Sequence, residues 1–208
     1  MNRFNALAFA SMMILANGVD AGVIRGRLHI APQARASMPG TVVEIAGPEQ
    51  AVLWVDPVPE SVARRYHGGP KKKRVVQSNR TFAPLVTTVM VGSTVDFANR
   101  DRVYHNVFSI SPAQRFDLGK YPPRSSQSVT FEHPGVVNLF CDIHPWMSAH
   151  VVVLPHKVFA IPNASGEFKL PALPPGEYTV HVFHPSLGER LRVVRVPEHG
   201  DAVLTLND

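Results

Sequence analysis

Along most of the chain, apolar and polar residues alternate with period two in short runs, and glycine, proline or small polar clusters close the runs. That pattern predicts many short strands and no long helix. Strands are expected at 23–30, 41–45 and 51–55, then at 85–91, 94–97, 103–110, 127–131, 136–141 and 150–154, and again at 166–170, 173–183, 191–196 and 202–206. A short helix fits 60–66, and Gly68-Gly69-Pro70 with the basic run behind it reads as an exposed linker. Gly92-Ser93 predicts a hairpin between its flanking strands, and the stretch holding Pro112, Gly119, Pro122 and Pro123 predicts a loop. Within 136–141, Val137, Leu139 and Cys141 share one strand face, so the thiol ends an inward-facing row.

A length of 208 residues allows one or two domains. A hydrophobic share of 45% with 18% charged residues can fill a core, and 19 prolines with 14 glycines favour turns without reaching disordered composition. The formal charge is +5, but Lys71-Lys72-Lys73-Arg74 supplies most of it. Without that run the net charge is only about +1, too little for a basic face spread over the protein, so nucleic acid is not an expected partner.

Arg3, an apolar stretch over 6–16 and small residues at 16–18 and 19–21 follow the order of a cleavable export signal. The apolar core of about 11 residues is too short to span a bilayer. Cleavage is expected near Gly18 or Ala21, with no stable membrane insertion afterwards, and it places the mature chain in an oxidising compartment. There the single cysteine, Cys141, cannot close an internal disulfide. It is buried and inert, paired with another chain, held by a metal, or catalytic.

The segment Cys141-Asp142-Ile143-His144-Pro145-Trp146-Met147 sets a thiol, an imidazole and a thioether within seven residues. Thiolate with thioether favours copper, and a Cys with two His and a weak axial Met is an electron-transfer copper set. His105, 36 positions before Cys141 on an expected strand, is the best second imidazole. A zinc site would leave Met147 idle, and a nucleophilic Cys141 with His105 or His144 as base lacks any recognisable surrounding signature. His133, His150, His156, His181 and His184 read as solvent-facing or structural.

Residues 77–154 resemble a cupredoxin domain, and the loop Cys-x-x-His-Pro-aromatic-Met is most similar to that of amicyanin. The order Gln77, Asn79, Phe82, Pro84, then Gly92, Val95, Phe97, His105-Asn106 and Pro134-Gly135 carries the same resemblance. It implies one type 1 copper ion held by His105, Cys141 and His144 with Met147 as axial ligand. It also implies that Asn106 ties the two ligand loops together and that Trp146 belongs to the shell around the metal. The larger chain resembles periplasmic methylamine-utilisation-type cupredoxins. A periplasmic electron carrier is therefore expected, not an enzyme, with redox donor and acceptor proteins such as an amine dehydrogenase and a cytochrome c. The alternative is a copper delivery or storage protein with the same ligands.

Gly-x-Phe-x-Leu at 166–170 followed by Leu-Pro-Pro-Gly-x-Tyr-x-Val-x-Val at 173–182 resembles carboxypeptidase-regulatory-like or transthyretin-like sandwiches. The expected fold class is all-β: a cupredoxin Greek-key sandwich plus this smaller sandwich. The expected layout is a signal peptide at 1–21, accessory strands at 22–66, a linker at 67–76, the copper domain at 77–155 and the rest of the accessory sandwich at 157–208.

Overall fold

The computed structural model describes residues 21–31 and 47–207. The expected strand at 41–45 and, but for residue 21, the expected signal peptide lie outside them. The described chain is all-β apart from one short helix and one 3-10 turn. It opens with β1 (Ile24–His29) and β2 (Val52–Val55), followed by the helix α1 (Glu60–Arg65). Nine strands follow: β3 (Lys72–Ser78), β4 (Thr81–Ala83), β5 (Val86–Met90), β6 (Ser93–Asn99), β7 (His105–Ser111), β8 (Gln114–Tyr121), β9 (Ser126–Phe131), β10 (Gly135–Phe140) and β11 (Ser148–Leu154). The last five are β12 (Phe159–Ala160), β13 (Glu167–Lys169), β14 (Gly176–His184), β15 (Gly188–Val196) and β16 (Ala202–Asn207).

These strands form four sheets, ordered β13-β1-β16, β12-β2-β14-β15, β5-β11-β10-β7-β8 and β4-β3-β6-β9. The first two enclose one core, in which Ile24 and Leu28 meet Leu53, Val55, Val180, Val182 and Leu206. The last two enclose another, built on Val75, Phe97, Phe131, Val137, Leu139 and Val151.

The two sandwiches are also stacked. Val52 and Trp54 on β2 and Phe183 on β14 pack against Val152 and Leu154 on β11 and Met90 on β5. This explains why Ala51–Val55 and Val151–Leu154 are apolar without a break, since strands covered on both faces have no polar side to show. The odd residues of β11 face one core and the even ones the other sandwich.

Strand β1 carries Gly26 where it is flanked by both neighbours, antiparallel to Phe168 and parallel to Leu204. A side-chain carbon at Gly26 would lie 1.7 Å from the Leu204 carbonyl oxygen. Gly26→Ala is therefore expected to force β1 and β16 apart and to destabilise the chain by about 3 kcal/mol, an overpacking penalty against backbone rather than a movable side chain. Denaturant unfolding of the two proteins checks this.

Three sequence expectations need correction. The stretch expected as a linker, 67–76, is strand from Lys72 onward, pairing in parallel with β6; the basic side chains line an exposed strand end rather than a loop. The expected hairpin about Gly92-Ser93 is a crossing between sheets. The Val91 amide donates to Leu154 at 3.0 Å and the Gly92 amide to Phe131 at 2.7 Å, in different sheets. Gly92, at φ 82°, supplies the left-handed turn that makes this possible. The expected loop after Pro112 contains β8, an edge strand on β7 whose Phe116 and Leu118 pack on the core.

Candidate metal centre

Strands β7 and β10 run antiparallel with Phe108 opposite Phe140. That register brings His105, the first residue of β7, and Cys141, the residue just past β10, to the same end of the sheet. The chain then turns back into β11 through a tight loop, in which the Met147 amide donates to the His144 carbonyl at 2.9 Å. Pro145 sits inside this turn, where a missing amide hydrogen costs nothing.

The loop directs its donors inward. His105, Cys141 and His144 are all buried, and their ligand atoms lie within 4.8 Å of one another. The Cys141 Sγ is 3.9 Å from His105 Nδ1 and 3.8 Å from His144 Nδ1. These separations are shorter than the sum of ordinary metal–sulfur and metal–nitrogen bonds, about 4.3 Å, so one ion can reach sulfur and either nitrogen without rearrangement. Among the described residues this is the one group of three such donors. Met147 is also buried and belongs to the same core cluster as Cys141.

The three donors shift one another's protonation in different directions. Burial works to raise the Cys141 thiol, but the His105 ring and the amides of Asn106, His144 and Ile143 outweigh it and hold the thiol below its ordinary value. On His105, burial works downward, while Cys141 and Asp101 overcome it and raise the ring. His144 is pushed down by burial and then by the charges of His105 and Arg80, which favours the neutral imidazole that a metal requires.

Asn106, which follows His105 on β7, bonds to two other segments. Its Oδ1 accepts from the Asp142 amide at 3.4 Å and its Nδ2 donates to Asp117 at 2.6 Å, so it joins the Cys141 loop to β7 and β8. Trp146 presents its ring at a steep angle to His144, centroids 5.3 Å apart. Its indole Nε1 is buried with no hydrogen-bond partner among the described residues.

Sequence reasoning passed over Asp101. Its carboxylate lies 2.8 Å from His105 Nε2 and accepts the amides of Asn79 at 2.7 Å and Arg80 at 2.9 Å. With Nε2 protonated and donating to Asp101, Nδ1 is left free to face Cys141, the tautomer that a ligand needs. The same carboxylate supports the two-residue β3–β4 turn, where Asn79 and Arg80 both hold positive φ, 55° and 54°. Asn99 shapes the approach, accepting from the Asp101 amide at 3.0 Å and donating to the Val103 carbonyl at 2.9 Å. A carboxylate four residues before a ligand histidine was visible in the sequence, but strand periodicity gives no reason to bring i and i+4 together; only this loop does.

The remaining histidines serve elsewhere. His181 stacks on Trp54 with centroids 4.8 Å apart and bonds Glu189 at 2.8 Å; His150 Nδ1 lies 2.9 Å from the Asn138 carbonyl oxygen of the side chain.

Cupredoxins are among the solved structures to which this chain is similar. No family model matches the chain, and no curated protein matches it. Solved structures similar to it include a purple cupredoxin from Nitrosopumilus maritimus, 26% identical over 39% of this chain and 99% of that one, with a TM-score of 0.37. Another is a copper-containing nitrite reductase from Thermus scotoductus SA-01, 26% identical over 42% of this chain but only 23% of the reductase, with a TM-score of 0.39. A Cu(I) amicyanin mutant is 24% identical over 40% of this chain and 82% of that one, with a TM-score of 0.38. Likenesses at this level carry nothing about the role of the site, which rests on its own donors. No helix among the described residues is long and apolar enough to cross a membrane.

Proposed function

We propose that this chain is a periplasmic type 1 copper protein that carries single electrons between redox partners. The observation behind the reading is the buried triad of one cysteine sulfur and two imidazoles within 4.8 Å, with the Met147 thioether in the same core. That donor mixture is soft enough for copper in either oxidation state. Copper in such a site supplies reversible one-electron chemistry; the protein supplies a setting that does not move.

Met147 is held by core packing, Asp101 fixes the His105 ring, and Asn106 fixes the Cys141 loop. His144 is 8% exposed against 0% for His105, which makes it the outward route for an electron into a partner docked over the 141–147 loop. No substrate is converted. The periplasmic placement rests on the expected export signal.

Burial of all three donors supports carriage over delivery, because a cargo ion has to come within reach of a recipient's ligands. Voltammetry of the copper-loaded protein with a cuprous chelator present separates the two. The carrier reading predicts a reversible one-electron wave that persists over repeated cycles; loss of copper to the chelator on the first reduction contradicts it. Met147→Gln is expected to keep an intensely coloured centre while lowering its potential, since an amide oxygen favours the cupric state more than a thioether does. The same voltammogram, run beside the visible spectrum, reads both effects.

A further inference from the structure

Beside the metal centre lies an open polar groove of about 460 Å³, lined by Ser78, Asn79, Arg80, Arg100, Asp101 and Arg102. Its three arginines are all exposed, and among the described residues none is ion-paired to a carboxylate. The one carboxylate between them, Asp101, is occupied by His105 and by the amides of Asn79 and Arg80. Asp142, next to Cys141 in the chain, is balanced by Lys120 at 3.8 Å. The rim near the buried histidine is therefore net positive. Tyr104, 56% exposed, stands between this groove and His105 in the chain.

We infer that the Arg80, Arg100 and Arg102 groove is the docking surface for a carboxylate-rich face of the redox partner. This deepens the electron-carrier reading and rests on it. Guanidinium groups bind carboxylates through paired N–H donors, and arginine and tyrosine are the residues that most often dominate interface energies. Placement matters as much as charge. The Arg80 amide donates to Asp101 at 2.9 Å, and the same carboxylate lies 2.8 Å from His105 Nε2, so a partner held here lies beside the ligand cluster. A cleft of one sign also raises encounter rates with an oppositely charged partner.

The more conspicuous basic run does not have this placement. Strand β3 runs parallel to β6, with Lys72 opposite Thr94 and Gln77 opposite Asn99. Five extended residues put Lys72 about 17 Å from the end of the strand pair that carries Asp101. Arg74 is moreover paired with Asp96 at 2.8 Å. Lys71 and Lys73 line a separate groove with Lys157 and Phe159.

The test uses a hexaglutamate peptide as the acidic probe, titrated into the ¹⁵N-labelled full chain. Shift changes are expected at Asn79, Arg80 and 100–104, and to vanish near 0.3 M salt, where the Debye length is shorter than the groove. The double substitution Arg100→Gln with Arg102→Gln is expected to weaken the peptide about tenfold, and to slow oxidation of the cuprous protein by hexacyanoferrate(III) by a similar factor. Its visible spectrum should stay unchanged and its rate of oxidation by the cationic tris(phenanthroline)cobalt(III) should not fall. No peptide binding, shifts centred on Lys71, Lys73 and Lys157, or equal affinity in the variant would overturn the inference. So would displacement of the peptide by millimolar phosphate, which would mark a small-anion pocket. A protein that fails to form a coloured copper site would overturn the carrier reading while leaving the peptide map interpretable.

Discussion

Cys141→Ser is expected to abolish the intense visible band of the copper-loaded protein while the fold survives. The band requires charge transfer from a thiolate, and a serine hydroxyl is neither anionic at neutral pH nor soft. Two imidazoles and a thioether remain, but without the anion that balances the metal's charge. Loss of affinity should exceed the roughly 10–100-fold that follows removal of a residue merely supporting a ligand. The apo fold should change little, because the amides of Asn106, His144 and Ile143 that face the sulfur can equally donate to a hydroxyl, avoiding the cost of about 1–3 kcal/mol for an unpaired buried polar group. Visible absorption, competitive copper titration and far-UV circular dichroism on the same preparation distinguish a lost ligand from a lost fold.

Asp101→Asn is the second large effect. The carboxylate accepts three hydrogen bonds, from His105 Nε2 and two amides. An amide side chain offers one oxygen for them and turns an NH₂ group toward at least one donor. Two consequences follow. The His105 ring loses the partner that selects its tautomer, so copper affinity should fall about 10–100-fold. The β3–β4 turn also loses the acceptor that holds two non-glycine residues at positive φ, a conformation costing about 1–2 kcal/mol per residue. The proton on His105 Nε2 gives a readout that a purely structural role would not move: its imidazole NH resonance should be protected from exchange in the natural protein and broaden or vanish in the variant. If Asp101→Asn binds copper as tightly as the natural chain, the carboxylate does not position the ligand.

Much of the fold was legible because burial leaves a simple trace in a strand. Val137, Leu139 and Cys141 alternate in sequence, and all three are buried in one core. The short helix at 60–66 and the strand after Pro-Pro-Gly are where the pattern put them. Continuous apolar runs such as 51–55 were legible as strands, but not as strands covered twice, because a run without polar residues does not say what lies on its second face. Gly92-Ser93 misled for a related reason. A left-handed glycine fits a hairpin and a sheet crossing equally well, and only the partners of residues 91 and 92 decide between them. Strand β8 was hidden by Gly119 and the flanking prolines, although Phe116 and Leu118 kept the alternation.

The candidate site was legible to the extent that its donors are chemically unusual. A cysteine, a histidine and a methionine within seven residues are informative without coordinates, and His105 stood out as a histidine on a strand at suitable separation. Asn106 was reachable only through resemblance. Asp101 and the three arginines around it were not reachable, because their roles depend on how the 99–103 loop folds back on the β3–β4 turn, and that contact is not written in either segment alone.

Adding one equivalent of Cu(II) to the purified chain and recording its visible and EPR spectra tests the central claim most directly. A single copper bound by His105, Cys141 and His144 predicts an intense visible band, a compressed copper hyperfine splitting and a Cys141 thiol no longer open to thiol reagents. A colourless solution with an ordinary cupric EPR signal and a freely titratable Cys141 would contradict it.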